Sequence, residues 1–209
     1  MLQGGDGSRL REPAFPIVLS GPAGAGKGVL GARLLKADEG VVFSVSATTR
    51  PPRAHEQDGV NYFFVTEEEF RSMIETDELV EWAQVHDHLY GTPASYLERH
   101  LAEGRCVLLD IDVQGGASVM KRYPNALSVF VVPPSLEVLT RRLTGRGTED
   151  ARALRTRLGN ATEEMKAAVD YQYLIINDDL DTAANTLVSI VTAERCRLNR
   201  ISGSGLRLL

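Results

Sequence analysis

A chain of 209 residues can hold one well-buried core with a lid or an insertion, or at most two small domains. With 43% apolar and 24% charged residues it has the make-up of ordinary globular proteins, not of disordered or fibrous ones. A formal net charge of −5 argues against a surface that wraps duplex DNA or RNA, while leaving room for a small phosphorylated ligand that needs only a local cluster of cations.

Residues 1–14 are polar, Gly-rich and aperiodic, and read as an N-terminal tail; residues 199–209, with Ser202-Gly203-Ser204-Gly205, read the same way at the other end. The first apolar run, Ile17 to Ser20, is a buried strand. It leads into Gly21-Pro22-Ala23-Gly24-Ala25-Gly26-Lys27 and then a helix to Lys36. This is the G-x-x-x-x-G-K spacing of a phosphate-binding loop. Glycines let backbone N–H groups turn inward, a helix N-terminus adds a positive dipole end, and Lys27 adds a mobile charge. The position after the lysine normally carries a Ser or Thr hydroxyl for Mg²⁺. Here it is Gly28, followed by Val29.

A second strand, Val41 to Val45, runs into Ser46-Ala47-Thr48-Thr49-Arg50-Pro51-Pro52-Arg53. Ligands bind at such carboxyl ends of parallel strands, and the two prolines stiffen a segment that could aim both arginines at one anion. Two solvated loop arginines fit the spacing equally well. Residues 48–92 then break the strand–helix alternation. Aromatic and β-branched runs, Val60 to Val65 and Leu79 to Val85, flank a helix that Thr66 and Glu69 mark with a capping box. A small α+β insertion is expected there. It carries Tyr62, Glu81 in Glu81-Trp82-Ala83-Gln84, and Tyr90-Gly91-Thr92. A carboxylate can accept from both N1–H and the 2-amino group of guanine, a donor pair adenine lacks. On spacing alone, though, Glu81 reads as a solvated strand residue and the tyrosines as half-buried packing.

Thr92-Pro93 looks like an N-cap followed by proline at the first helical position, with Gly104 ending the helix. The strand Cys106 to Ile111 follows. Cys106 reads as a small buried hydrophobe, and with only Cys196 besides, neither a disulfide framework nor a zinc site is expected. Alternation places Asp110 and Asp112 on one face at the strand's end, where an Asp can hold Mg²⁺ directly or through water; a strand-end turn with a helix cap is the plainer alternative. Leu127 to Val132 and Leu174 to Ile176 complete five strands. Ser135 looks like the cap of a helix from Leu136, a longer helical stretch spans Glu149 to Val169, and Asp181 looks like the cap of the last helix. Between them lie Arg141, Arg142, Arg146, Arg152, Arg155 and Arg157, broken by glycines, as suits either a mobile lid or a solvated amphipathic helix. Continuous apolar strands separated by helices imply a parallel sheet covered on both faces.

The segments SGPAGAGKG, FSVSATTRPPRAHEQDGVNYFFV, EEFRSMI, EWAQV, YGTP, LLDIDVQG, PPSLEVLTRRLTGRGTE and IINDDL, in that order over roughly residues 15–197, resemble the guanylate kinase family. The resemblance implies an α/β fold of the P-loop NTPase type: a five-stranded parallel sheet flanked by helices, a GMP-binding insertion and an Arg-rich lid. The core would comprise residues 15–47, 93–135 and 158–198, the insertion 48–92 and the lid 136–157. It implies ATP phosphates on Gly21, Pro22, Ala23, Gly24, Ala25, Gly26, Lys27 and Gly28, with Asn177 near the adenine. It implies a GMP site of Ser46, Arg50, Arg53, Tyr62, Glu81, Tyr90, Thr92 and Asp112, where Glu81 and Ser46 read the guanine edge. Arg50, Arg53, Tyr62 and Tyr90 hold the phosphate in that scheme. Lys27, Arg50, Arg142, Arg146, Arg157, Asp110 and Asp112 would serve catalysis. Mg²⁺ would be bound through phosphate oxygens and water, the water held by Asp110 or Asp112. The implied reaction is ATP plus GMP to ADP plus GDP in the cytoplasm, with dGMP left open and with neither nucleic acid polymer nor membrane as partner. A protein-binding module that has lost catalysis is the competing reading; such modules typically lose parts of this machinery, and this chain keeps Lys27, both aspartates and the lid arginines.

Overall fold

The structure, a computed structural model, describes residues 13–144 and 151–201, the latter with side chains from Arg155 onward. In chain order it runs β1 (Pro16–Ser20), α1 (Lys27–Ala37), β2 (Val41–Phe43), β3 (Ala47–Thr48), β4 (Phe63–Phe64), α2 (Glu67–Glu75), β5 (Leu79–Val85) and β6 (His88–Pro93). There follow α3 (Ala94–Ala102), β7 (Cys106–Asp110), α4 (Val113–Arg122), β8 (Leu127–Val132), α5 (Leu136–Thr144), α6 (Ala151–Lys166), a 3₁₀ turn (Ala167–Asp170), β9 (Tyr173–Ile176), α7 (Leu180–Arg195) and α8 (Leu198–Ile201). Arg146 and most of both tails lie outside the described residues.

Five strands form one parallel sheet in the order β2-β7-β1-β8-β9. Its central strands are buried on both faces, which is why they read as unbroken apolar runs. Alternation sorts their side chains. Ile17 and Leu19 of β1 pack with Leu30 and Leu34 of α1 and Leu187 and Val191 of α7 on one face. Val18 packs with Val107, Leu109, Leu97 and Val119 under α3 and α4 on the other. A parallel pair needs a long crossover, and helices supply it here.

A second sheet, β4-β3-β6-β5, makes the insertion. Its core is Ala47, Phe70, Leu79 and Leu89, with Phe70 of α2 fully buried. The predicted capping box is present: Glu69 N–H donates to Thr66 Oγ1, and Glu69 Oε2 accepts from the Thr66 N–H at 2.7 Å. A fourth cluster, Leu139, Leu143 and Ala161 with Leu158, holds α5 against α6.

Three local expectations are corrected. Pro93, not Thr92, is the N-cap of α3; Thr92 ends in β6, because its hydroxyl is engaged across the sheet. The long C-terminal helix α7 is capped by Asp179, whose carboxylate accepts from the Thr182 N–H, while Asp181 sits in the first turn and pairs with Arg33. Strand β7 stops at Asp110; Asp112 is the N-cap of α4, its Oδ1 accepting from Gly115 N–H at 2.8 Å, so the two aspartates do not share a strand face.

Candidate active site

The loop after β1 is shaped by what presses on its glycines. Gly21 has φ +140°, and a Cβ there would collide with the carbonyl oxygen of Val131 on β8. At Gly26, φ +96°, a Cβ would collide with the Asn177 side-chain amide. Only glycine fits either position, so the loop is held close to β8 and to the end of β9. Asn177, buried, donates from Nδ2 to the Ala25 carbonyl at 2.8 Å. Asn177 thus braces the loop from beneath. Lys27 arches back over the loop, its Nζ donating to Gly21 O at 2.6 Å and to Pro22 O at 3.4 Å. The N-terminus of α1 opens into the same concavity, where unpaired N–H groups favour an anion.

Arg142, near the end of α5, faces this loop. Its Nη2 donates to the Asn177 carbonyl at 2.9 Å, whereas Nη1 is buried and has no hydrogen-bond acceptor among the described residues. A buried charged donor without a partner is costly. Arg142 also lines a cleft of about 450 Å³, together with Gly24, Gly26, Lys27, Gly28, Val29 and Asp110. A smaller hollow of about 220 Å³ continues it past Asn177, Asp178 and Leu180. Asp110 closes the far side of the cleft. Burial pushes its carboxyl above the ordinary value, and the Lys27 charge works against that shift. At Gly28 an added Cβ would meet, among the described residues, Asp110 Oδ2 at 3.5 Å and nothing else within 4 Å.

Across from the loop, β5 and β6 pair Glu81 with Thr92. Glu81 is buried, and its Oε1 accepts from Thr92 Oγ1 at 2.6 Å. Oε2 reaches toward the start of α4, where a Cβ on Gly115 would lie 3.0 Å from it. Desolvation raises the Glu81 pKa most, the Thr92 hydrogen bond opposes this, and nearby Asp112 raises it further. Glu81, Thr92 and Asp112 are therefore brought together, from an insertion strand pair and a core helix terminus. The other predicted residues of this side form a second group. Tyr62 and Tyr90 meet edge to face at 6.0 Å, and the Arg50 guanidinium lies 5.4 Å from the Tyr62 ring. Ser46, half-buried, precedes β3 and accepts the Phe63 N–H through its carbonyl. Of the arginine pair, Arg50 is held in this group by an ion pair, while Arg53 is exposed. Arg157 lies exposed on α6.

Two acidic residues were not anticipated. Glu56 forms an ion pair with Arg50, and could have been suspected as the first carboxylate after the arginine pair, three positions beyond Arg53. Glu164 of α6 is half-buried; desolvation raises its pKa, Lys27 opposes the shift and Asp112 adds to it. Nothing local marks Glu164, because its neighbours come from two other elements.

A glycine loop that wraps toward a helix N-terminus, on a five-stranded parallel sheet, with a second polar site on an inserted sheet beside it, defines a nucleoside-monophosphate kinase of the P-loop type. The family model described as guanylate kinase matches residues 14–194. A guanylate kinase of Thermotoga maritima is 48% identical over 184 residues, covering 88% of this chain and 89% of the relative. One of Caldanaerobacter subterraneus subsp. tengcongensis is 44% identical over 191 residues, covering 91% and 93%. The crystal structure of guanylate kinase from Anaplasma phagocytophilum superposes with a TM-score of 0.72 at 33% identity, covering 91% of each chain. The chain belongs to the guanylate kinase family.

Proposed function

We propose that the chain transfers the γ-phosphoryl group of ATP to GMP, yielding ADP and GDP. The observation that carries this reading is Glu81: a buried carboxylate with one oxygen held by Thr92 and the other turned toward the helix N-terminus at Asp112. Such a carboxylate matches the N1–H and 2-amino donors of guanine and mismatches adenine, whose corresponding edge offers an acceptor at N1. ATP phosphates would lie on the loop Gly21 to Gly28, with the nucleoside toward Asn177 and Leu180. Lys27 would exchange two neutral carbonyl partners for phosphate oxygens, which make stronger, charge-assisted bonds. Arg142 Nη1 has the donor such a phosphate needs. Arg50, with Tyr62 and Tyr90, would hold the GMP phosphate.

Phosphoryl transfer asks the protein mainly for in-line positioning and charge neutralisation. A GMP phosphate oxygen attacks the γ-phosphorus while Lys27 and Arg142 stabilise the charge spread over the transferring group. The cleft between loop and insertion must exclude water, or ATP would be hydrolysed instead.

The residues present suit Mg²⁺. Asp110, an oxygen ligand of the hard type the ion prefers, lies in the cleft beside Gly28, where no side chain stands between it and the loop. Mg²⁺ supplies neutralisation of the ATP β- and γ-phosphates when bound. Asp110 would hold it, directly or through water; Asp112 is committed by Oδ1 to capping α4.

A coupled ADP-release assay with ATP and each of GMP, AMP, UMP and CMP tests the reading. GMP is expected to be the preferred acceptor. Faster turnover with AMP or UMP would remove the assignment of Glu81, and no turnover with any acceptor would favour the binding-module alternative.

A further inference from the structure

Glu56 belongs to none of the substrate contacts above, yet it organises one of them. Its Oε1 accepts from Arg50 Nη2 and its Oε2 from Arg50 Nη1, both at 2.9 Å, and Oε2 also accepts the Arg53 backbone N–H at 2.8 Å. The Glu56 N–H donates back to the Arg53 carbonyl at 2.9 Å. One residue therefore closes the turn after the two prolines and grips the arginine before them. Both side chains are shielded from water, at 14% exposure for Arg50 and 8% for Glu56.

The donors of Arg50 can be followed one by one. A guanidinium has five N–H groups in a fixed plane. Nη1 donates to the Pro51 carbonyl at 2.7 Å and to Glu56, and Nη2 donates once to Glu56. Among the described residues, the N–H of Nε and the second N–H of Nη2 are left, side by side along one edge. That edge is the fork that binds a phosphate through two parallel hydrogen bonds. Glu56 has taken the end of the guanidinium and left its side edge open, so carboxylate and phosphate need not compete for it. The rings of Tyr62 and Phe64, 5.4 and 5.8 Å from the guanidinium carbon, further limit where it can turn. The Tyr90 hydroxyl, proposed above to hold the same phosphate, also interacts with the guanidinium and favours its charged form.

We infer that Glu56 is a positioning residue for GMP: it orients Arg50 before the substrate arrives, with the open edge turned to the GMP phosphate. The inference rests on the proposed role of Arg50 as the phosphate anchor. Ordering a long side chain in advance removes part of the entropy that binding would otherwise lose. Glu56 acts on affinity for the phosphate of GMP, not on guanine and not on ATP.

The test is a set of calorimetric titrations on the full chain, with Glu56→Gln, Glu56→Asp, Arg50→Ala and the Arg50→Ala/Glu56→Gln pair. The ligands are GMP, guanosine and ATP. Glu56→Gln is expected to weaken GMP by about 10- to 100-fold. Guanosine and ATP should change by less than about 3-fold, as should kcat at saturating GMP. Glu56→Asp, which keeps the charge but shortens its reach, should fall between Gln and wild type. In the Arg50→Ala background Glu56→Gln should add less than about 2-fold, because the arginine through which it acts is gone. Equal losses for guanosine and GMP would make Glu56 a structural staple of the loop and overturn the inference. So would unchanged GMP affinity in Glu56→Gln beside a large loss in Arg50→Ala, with Arg50 keeping its role. Wild-type GMP affinity in Arg50→Ala would instead overturn the phosphate anchor itself, and the inference with it.

Discussion

Replacing Glu81 by Gln separates what this carboxylate does for GMP from what it costs the fold. Glu81 accepts from Thr92 through Oε1 at 2.6 Å and keeps Oε2 for a ligand. Gln can retain one acceptor, which Thr92 already occupies, and must present NH₂ where Oε2 stood. A guanine donor then faces a donor. A hydrogen bond to a charged group is worth about 1.5–3 kcal/mol, so GMP should lose about 10- to 150-fold in kcat/KM. The KM for ATP should stay within about 2-fold. IMP, which shares the N1–H of guanine but lacks its 2-amino group, should lose less than GMP, and the GMP/IMP ratio should fall. Stability should move the other way. Burial holds the Glu81 pKa above its unfolded value of 4.5, so between the two values the native state keeps a proton that the unfolded chain has released. Stability falls as pH rises through that window, and the penalty is complete above it. Glu81→Gln removes the penalty, so the substrate-free variant should melt higher than wild type at pH 7, and the gain should vanish below pH 4.5. Parallel losses of GMP and ATP, or a substrate-free variant less stable at neutral pH, would refute this account and make Glu81 a structural strand residue.

Lys27→Ala should lower kcat by about 10²–10³ with an unchanged circular dichroism spectrum, since among the described residues the Lys27 Nζ donates to two loop carbonyls and to nothing in the core; near-normal turnover would exclude a role at the phosphates. Gly28→Ser places its new Cβ 3.5 Å from Asp110 Oδ2 with no other described residue within 4 Å, so it should leave activity within about 3-fold. Asp110→Asn should instead shift the Mg²⁺ dependence of turnover to higher concentration. A chain inactive at every Mg²⁺ level and rescued by Gly28→Ser would contradict both. The Arg50 ion pair and the Arg53 N–H draw the Glu56 carboxyl down to about 2 from 4.5. What this pair contributes to stability is present in full above pH 4.5 and is lost as pH falls toward 2. The difference in urea midpoint between wild type and Glu56→Gln should therefore shrink over that range, and a difference that grew on acidification would show the sign to be wrong.

Short-range chemistry was legible without coordinates. The glycine spacing from Gly21 to Gly26 dictates a turn that an ordinary side chain cannot follow, and the structure shows two of those glycines pressed against Val131 and Asn177. Thr66 and Glu69 specify a helix start three residues apart, and apolar runs such as Leu127 to Val132 specify strands with no exposed face. These features follow from backbone sterics, local hydrogen bonding and side-chain periodicity, which act over a few residues. Tertiary structure alone decided which distant groups meet. The strand order puts β1 between β7 and β8, which brings Asp110 to Gly28. The β5–β6 register engages the Thr92 hydroxyl with Glu81, and so takes it from the helix cap that local spacing favoured. Asp112 capped α4 because β7 ended at Asp110, one residue short of the expected strand, and the chain turned into the helix there. Arg142 reached the Asn177 carbonyl, and Glu164 the neighbourhood of Lys27, through the packing of Leu139, Leu143 and Ala161. Such contacts depend on how buried faces fit together across the whole chain, and no spacing within a single segment encodes them.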